Sequence, residues 1–300
     1  MKRFIDLVMF VVIPSVWLAA CGQGVVQVDQ STYAPKIVIN GLIYPDERID
    51  RIKITRNFPI NTTISFDDEP LTEALVIVSD ENGVSDTLVY NPLLRYFQSQ
   101  FQKVRIGGGK TYQLNVFAEI DGRRLSASAQ TTVPEKGFKI NEELSCLGNI
   151  PYRRYYVNGL LASPCINFNP SQGVAFYALS GTAMDVELSD FIEQNMFGVK
   201  KDIVEENFNA FKNFSLYTVP TKTVSGTSKV NIPWWYIYFY GRYRVIMYAG
   251  DINFYHFFVT HRFVQNFDGN LRDPLFHIEG DGIGLFGSAI RDTAYFHIIP

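Results

Sequence analysis

Residues 112–129 restrict this chain's fold more than any other stretch. Tyr112, Leu114, Val116, Ala118 and Ile120 alternate with Gln113, Asn115, Phe117 and Glu119 as far as Asp121-Gly122, and the chain then returns through Leu125, Ala127 and Ala129. A period of two is the strand period, and Asp-Gly suits the positive-φ positions of a tight hairpin turn. A two-residue turn sets Ala118 opposite Leu125, Val116 opposite Ala127 and Leu114 opposite Ala129 on one face. On the other face Glu119 meets Arg124, a favourable cross-strand charge pair.

The same signals recur upstream. Leu75–Val78 runs into Asn82-Gly83 and Thr87–Tyr90 runs back, a second hairpin. Ile37–Ile43 is strand-like and ends at Pro45-Asp46, while Ile52 and Ile54 alternate against Lys53 and Thr55. Asn61–Pro70 reads as a polar loop, Gly107-Gly108-Gly109 as another, and Val133–Gly137 as the end of the domain. Roughly seven short strands in about 100 residues predict an immunoglobulin-like β-sandwich over residues 35–134.

Residues 138–300 are less regular and predict a second β-rich domain with one or two short helices. Phe176–Leu179, Trp234–Tyr240, Arg242–Met247 and Tyr295–Ile299 read as strands. A short helix is expected around Glu205–Phe211, and a second, capped by Asp251, from about Ile252 to Gln265. As a strand, Trp234–Tyr240 would put Trp234, Tyr236, Tyr238 and Tyr240 on one face and Trp235, Ile237 and Phe239 in the core. The first set is a candidate ligand surface, with a strand buried on both sides as the alternative.

Location is written at the N-terminus. Lys2 and Arg3 precede a mostly apolar run from Leu7 to Ala20 that contains Pro14 and ends in Leu18-Ala19-Ala20-Cys21. The run is short for a membrane span, and its small residues before a cysteine suit a signal peptidase. Residues 1–20 are therefore expected to be a lipoprotein signal peptide, with Cys21 lipidated and 21–34 a tether. The expected location is the cell envelope, anchored by that lipid to the outer membrane, since Gly22 offers no aspartate retention signal. With 47% hydrophobic and 19% charged residues the chain has material for well-filled cores, and its 17 Tyr and 24 Phe favour strands. A net charge of -3 gives no electrostatic footprint for nucleic acid.

With Cys21 taken by lipid, Cys146 and Cys165 remain, and an oxidising compartment predicts one disulfide between them, against two separately buried thiols. Gly282-Ile283-Gly284-Leu285-Phe286-Gly287 fits a dinucleotide fingerprint, but only 13 residues come after it, too few for a βαβ unit. Strand bending or close backbone packing is the better account of these glycines. His256 and His261 are five apart, off a shared helix face, and predict no metal site. Asp268–Asp273 lacks the full calcium-loop pattern and reads as an Asp-Gly turn, Asp67-Asp68-Glu69 as a solvated loop. No GxSxG elbow occurs. No cofactor, metal or catalytic residue is assigned.

Several segments together resemble a known family. They are the Ile37–Ile43 strand after the lipobox cysteine, Ala74-Leu75-Val76, Gly109-Lys110-Thr111-Tyr112 leading to the Asp-Gly hairpin and Val133-Pro134, and above all Pro274–Gly287. The chain is similar to the Gram-negative outer-membrane lipoproteins of domain-of-unknown-function family 4249, although His277 stands where that family's terminal motif has Asn. The resemblance implies an immunoglobulin-like N-terminal part and, in some members, a neighbouring TonB-dependent receptor; it implies no catalytic residues. The expected function is a non-catalytic, lipid-anchored accessory or ligand-capturing partner of an outer-membrane, TonB-dependent transport system. A structural or adhesive surface protein and an envelope glycan or peptide hydrolase are the alternatives.

Overall fold

Alternate burial along the strands determines what they can enclose. A computed structural model describes residues 33–59, 62–65, 67, 69–154, 156–157, 159–218, 226–261 and 274–300. The segments expected to be a signal peptide (1–20) and most of a tether (21–34), with Cys21, and the expected turn at 268–273 lie outside the described residues. Met1–Ala34 with Phe58–Thr62 forms one unit, in which Thr62 N–H donates to Pro59 O over 3.3 Å. The other unit, Pro35–Asn57 and Thr63–Pro300, carries all the strands and helices below.

The first half supplies β1 (Ile37–Ile43), β2 (Ile52–Arg56), β3 (Leu75–Asp80), β4 (Ser85–Asn91), β5 (Tyr96–Ser99), β6 (Thr111–Ile120) and β7 (Arg123–Thr132). The second supplies β8 (Lys139–Cys146), β9 (Gly148–Pro151), β10 (Tyr156–Val157), β11 (Leu160–Leu161), β12 (Cys165–Asn169), β13 (Phe176–Met184), β14 (Asn213–Thr218), β15 (Ser228–Asn231), β16 (Gly241–Gly250), β17 (Ile278–Gly280) and β18 (Gly282–Ile299). Three short helices, α1 (Lys201–Glu206), α2 (Phe208–Lys212) and α3 (Ile252–His261), lie among the later strands. The chain is mostly β, and its hairpin turns lie where the sequence puts them. Ala118 pairs with Leu125, Val116 with Ala127, Leu114 with Ala129 and Glu119 with Arg124.

A mixed sheet of thirteen strands runs β14-β13-β16-β18-β1-β2-β5-β4-β3-β6-β7-β17, with β9 also on β18. Strands β15-β12-β8 form a small sheet. Strands β1–β7 each bury one side, and the sheet they form rolls around a single core that includes Ile39, Val78, Phe97, Tyr112, Leu114 and Phe286. Its two ends meet on one stretch of chain. Ile278–Gly280 pairs antiparallel with Ala129–Ala127 of β7, and Gly282–Ser288 then pairs parallel with Ile37–Ile43 of β1.

The glycines of that stretch explain themselves here. Gly280 has φ +79, and a Cβ on it would lie 2.5 Å from Ser126 O. Gly284 has φ +113, and a Cβ there would lie 2.1 Å from Ile39 O. Only glycine lets the chain cross from one neighbour to the other at this separation. The GxGxxG pattern is thus a strand crossing, and β18 runs on beyond it as strand to Ile299.

Beyond the crossing, β18 continues into a second core built from residues 138–298, including Tyr177, Trp234, Phe239, Tyr243, Val245 and Phe296. The stretches expected as two domains are therefore two cores strung on one strand of 18 residues. Helix α3 starts at Asp251, whose Oδ1 accepts the Phe254 N–H over 3.0 Å. The helix around 205–211 is broken at Asn207 into α1 and α2.

Candidate functional site

The aromatic segment Trp234–Tyr240 is not a strand. Pro233, which lacks an N–H and holds φ at -61, opens a 3-10 turn over Trp234–Tyr236. The backbone beyond it pairs with a loop: Ile192 N–H donates to Tyr238 O over 2.9 Å and Tyr240 N–H to Asp190 O over 2.8 Å. The expected alternation is reversed at Trp234 and Trp235 and kept beyond them, where Ile237 and Phe239 are buried as expected. Trp234 is buried, its indole N–H donating to Ala162 O over 3.0 Å, whereas Trp235, expected in the core, is 41% exposed. Tyr236 stacks on Phe214 at 5.3 Å, Tyr238 meets the Phe211 edge at 4.7 Å and Tyr240 meets Tyr152 at 6.4 Å. The four residues are distributed among packing contacts with β14, α2 and the loop after β9, so they do not share an outward face.

Cys146 and Cys165 face each other across β8 and β12 and are bridged, with Sγ–Sγ 2.09 Å. The two cysteines are 19 residues apart, and closing a loop of that size contributes about 3 kcal/mol in the chain-entropy account. His256 and His261 do not come together: His261 stacks on Phe257 at 4.9 Å, and His256 Nδ1 lies 2.7 Å from His277 Nε2. Burial first, then the charge of His277, holds the His256 pKa below its usual value. No group of three or more metal-ligating side chains occurs among the described residues.

A buried polar knot joins the two halves. Thr131 Oγ1 lies 2.5 Å from Asp251 Oδ2 and 2.8 Å from Ser288 Oγ, and the Ser288 hydroxyl donates to Thr132 O over 3.1 Å. Each hydroxyl has one proton to donate. The Thr131 hydroxyl points at both Asp251 Oδ2 and Ser288 Oγ and shares its one proton between them. Burial raises the Asp251 pKa, against the lowering effect of its hydrogen bonds to Thr131, Phe254, Ser288 and Asn253. The Asn253 side chain donates to Gln130 O (2.6 Å) and Phe286 O (3.0 Å), fastening α3 to β7 and β18. Nearby, a cleft of about 520 Å³ is lined by Thr131, Glu135, Val174, Asp251 and Asn253.

The structure also assembles a surface outside the sequence-based expectations. Across β9, β18, β16, β13 and β14 the register places Asn149, His297, Arg242 and Met184 in one row, and Tyr295, Arg244, Thr182 and Asn213 in the next. Thr293, Ile246, Ser180 and Ser215 form the third row, and Arg291, Tyr248, Ala178 and Tyr217 the fourth. Cross-strand partners point to the same side of a sheet, so all four rows share one face. None of these positions is acidic.

One end of the face is covered. Phe176, in the outermost row, packs on Phe254 and Phe258 of α3 at 5.0 and 5.6 Å. Arg291 lies over the Tyr44 ring at 4.4 Å and pairs with Glu47 through Nε–Oε1 (2.9 Å) and Nη2–Oε2 (2.5 Å). Burial, with the nearby Tyr248, pushes the Tyr44 pKa up to about 12. The other end is open: Arg242 and His297 are exposed and Tyr295 is 44% exposed. The Arg242 guanidinium sits 4.3 Å from the Tyr295 ring centre. The signal that would have found it is the Arg-Tyr-Arg-Val alternation of residues 242–245, which turns both arginines outward.

Fold and surface define a mostly β protein whose single large sheet bridges two cores and presents an arginine–tyrosine face. The family described as Domain of unknown function (DUF4249) matches over residues 25–289, and the chain belongs to it. No curated protein matches. Among solved structures, one described as "Structural insight into host cell surface retention of a 1.5-MDa bacterial ice-binding adhesin" is similar at 10% identity and a TM-score of 0.22. The alignment covers 90% of this chain and 66% of that chain.

Proposed function

We propose that this protein is a non-catalytic, lipid-anchored envelope lipoprotein that captures a ligand beside an outer-membrane, TonB-dependent transporter. The observation that carries the reading is the open end of the sheet face, where Arg242 and Tyr295 stand outward on a scaffold of paired strands. A rigid sheet presents side chains with little ordering cost on binding, which suits recognition. The lipobox ending at Cys21 supports the anchor, and a lipid supplies location while the protein surface supplies specificity. The transporter as partner rests on the family resemblance.

The test is a crosslinked pull-down of the intact lipoprotein from native membranes, with partners identified by mass spectrometry. Stoichiometric recovery of a TonB-dependent receptor is the expected result; recovery of the lipoprotein alone discards the accessory role. Replacement Cys21→Ala should release the protein from the membrane fraction, and retention of that variant contradicts the anchor.

A further inference from the structure

We infer that the open end of the sheet face, at Arg242, Arg244 and Tyr295, is a binding site for a carboxylate-bearing polysaccharide. This rests on the ligand-capturing part of the reading above and is independent of the transporter.

Arg242 and Arg244 are two residues apart on β16, so their side chains leave the sheet about 6.7 Å apart along the strand. Among the described residues neither has a carboxylate within ion-pair distance, unlike Arg291 at the covered end, which Glu47 neutralises. The Arg244 Nε is buried without a hydrogen-bond partner. Buried donors are nearly always satisfied, so this one calls for an acceptor, which a water or an anion can supply. Stacking orients Arg242: a guanidinium lying on an aromatic ring keeps its in-plane N–H fork free for two parallel bonds to a carboxylate. His297 borders the same pair.

The neighbouring groups select the kind of anion. Beside the arginines stand short neutral polar side chains, with Thr182 Oγ1 donating to Asn213 Oδ1 over 2.8 Å and Asn149, Ser180 and Thr293 in adjoining positions. Hydroxyl and amide groups next to guanidinium forks match a molecule that carries hydroxyls next to carboxylates, as an acidic sugar does. An anionic membrane surface would instead be met by a cluster of about four or more lysines or arginines beside an apolar wedge, and the open end carries only the two arginines Arg242 and Arg244 among short polar groups. The site is a strip across several paired strands, closed at one end by α3. An extended chain can lie along such a strip.

The experiment titrates the full-length lipoprotein, purified in detergent, with oligogalacturonate as the probe. Fully methyl-esterified oligogalacturonate serves as the uncharged counterpart, and anionic phospholipid vesicles as the second anion. Expected results are saturable binding to the free acid that weakens with salt, loss of binding to the ester, and about tenfold weaker binding in Arg242→Gln and in Arg244→Gln. Arg244→Lys, which keeps the charge and loses the fork, should lie between. Arg124→Gln, on the far hairpin, should bind as the wild type does, and an unchanged urea midpoint certifies each variant as folded. Equal binding of acid and ester, full affinity in folded Arg242→Gln and Arg244→Gln, or binding to vesicles alone overturns the inference. Absent oligogalacturonate binding with a receptor still recovered in the pull-down discards this site alone. Binding without a receptor discards the transporter partner alone.

Discussion

Single side chains decide more in this protein than their residue types suggest, and the two adjacent tryptophans show it. Trp234 lies in the second core with its N–H satisfied, while Trp235 beside it faces solvent. Trp234→Ala should cost about 3–5 kcal/mol of stability, and Trp235→Ala no more than about 1 kcal/mol, measured by urea unfolding. Similar losses for both would restore the strand expected there. Asp251 supports a pH prediction. Folding raises its pKa above the ordinary 3.8, so the folded state holds this proton more tightly than the unfolded chain. The stability it contributes is complete below 3.8 and is lost as pH rises through the raised folded value. Wild type minus Asp251→Asn, each tracked by urea midpoint from pH 3 to pH 7, should fall with rising pH. A flat difference would show that Asp251 titrates as it does in the unfolded chain.

At the scale of elements, the glycine crossing between β17 and β18 is the most demanding local feature. Gly284→Ala places a Cβ against Ile39 O and forces a positive φ on alanine. It should destabilise by more than about 2 kcal/mol, against about 1 kcal/mol for Gly83→Ala, where φ is +82 but space is open. Equal losses in a denaturation series would mean that close approach is not what glycine serves there. The two hairpins were legible because Asn-Gly, Asp-Gly and a clean period of two act over a few residues. Strand β8 was not, because Ile140 is its only buried side chain and no alternation shows. At 234–240 the alternation placed Ile237 and Phe239 in the core correctly, but the turn opened by Pro233 exchanged the sides of Trp234 and Trp235. Nor did the pairing of β1 with β18 leave any local trace, since its partners stand 245 positions apart (Ile37 and Gly282). The arginine–tyrosine face was hidden for the same reason: Arg242 and Tyr295 become neighbours only through the β16–β18 register.

At the scale of the whole molecule, Pro35–Asn57 and Thr63–Pro300 form one unit with two cores. Strand β18 closes the first core with Phe286, carries Tyr295 on the outer face, and fills the second core with Phe296 and Ile298. The Asp251–Thr131–Ser288 knot and the Arg291–Glu47 pair tie the same halves by side chains. A face built on that strand is held by both cores, which suits the ligand capture proposed above. Urea unfolding of the purified protein tests this most directly. Trp234 and Trp235 report the second core, and hydrogen exchange of peptides spanning 37–56 and 111–132 reports the first. Coincident midpoints are predicted for the two probes; separate transitions would contradict the single body.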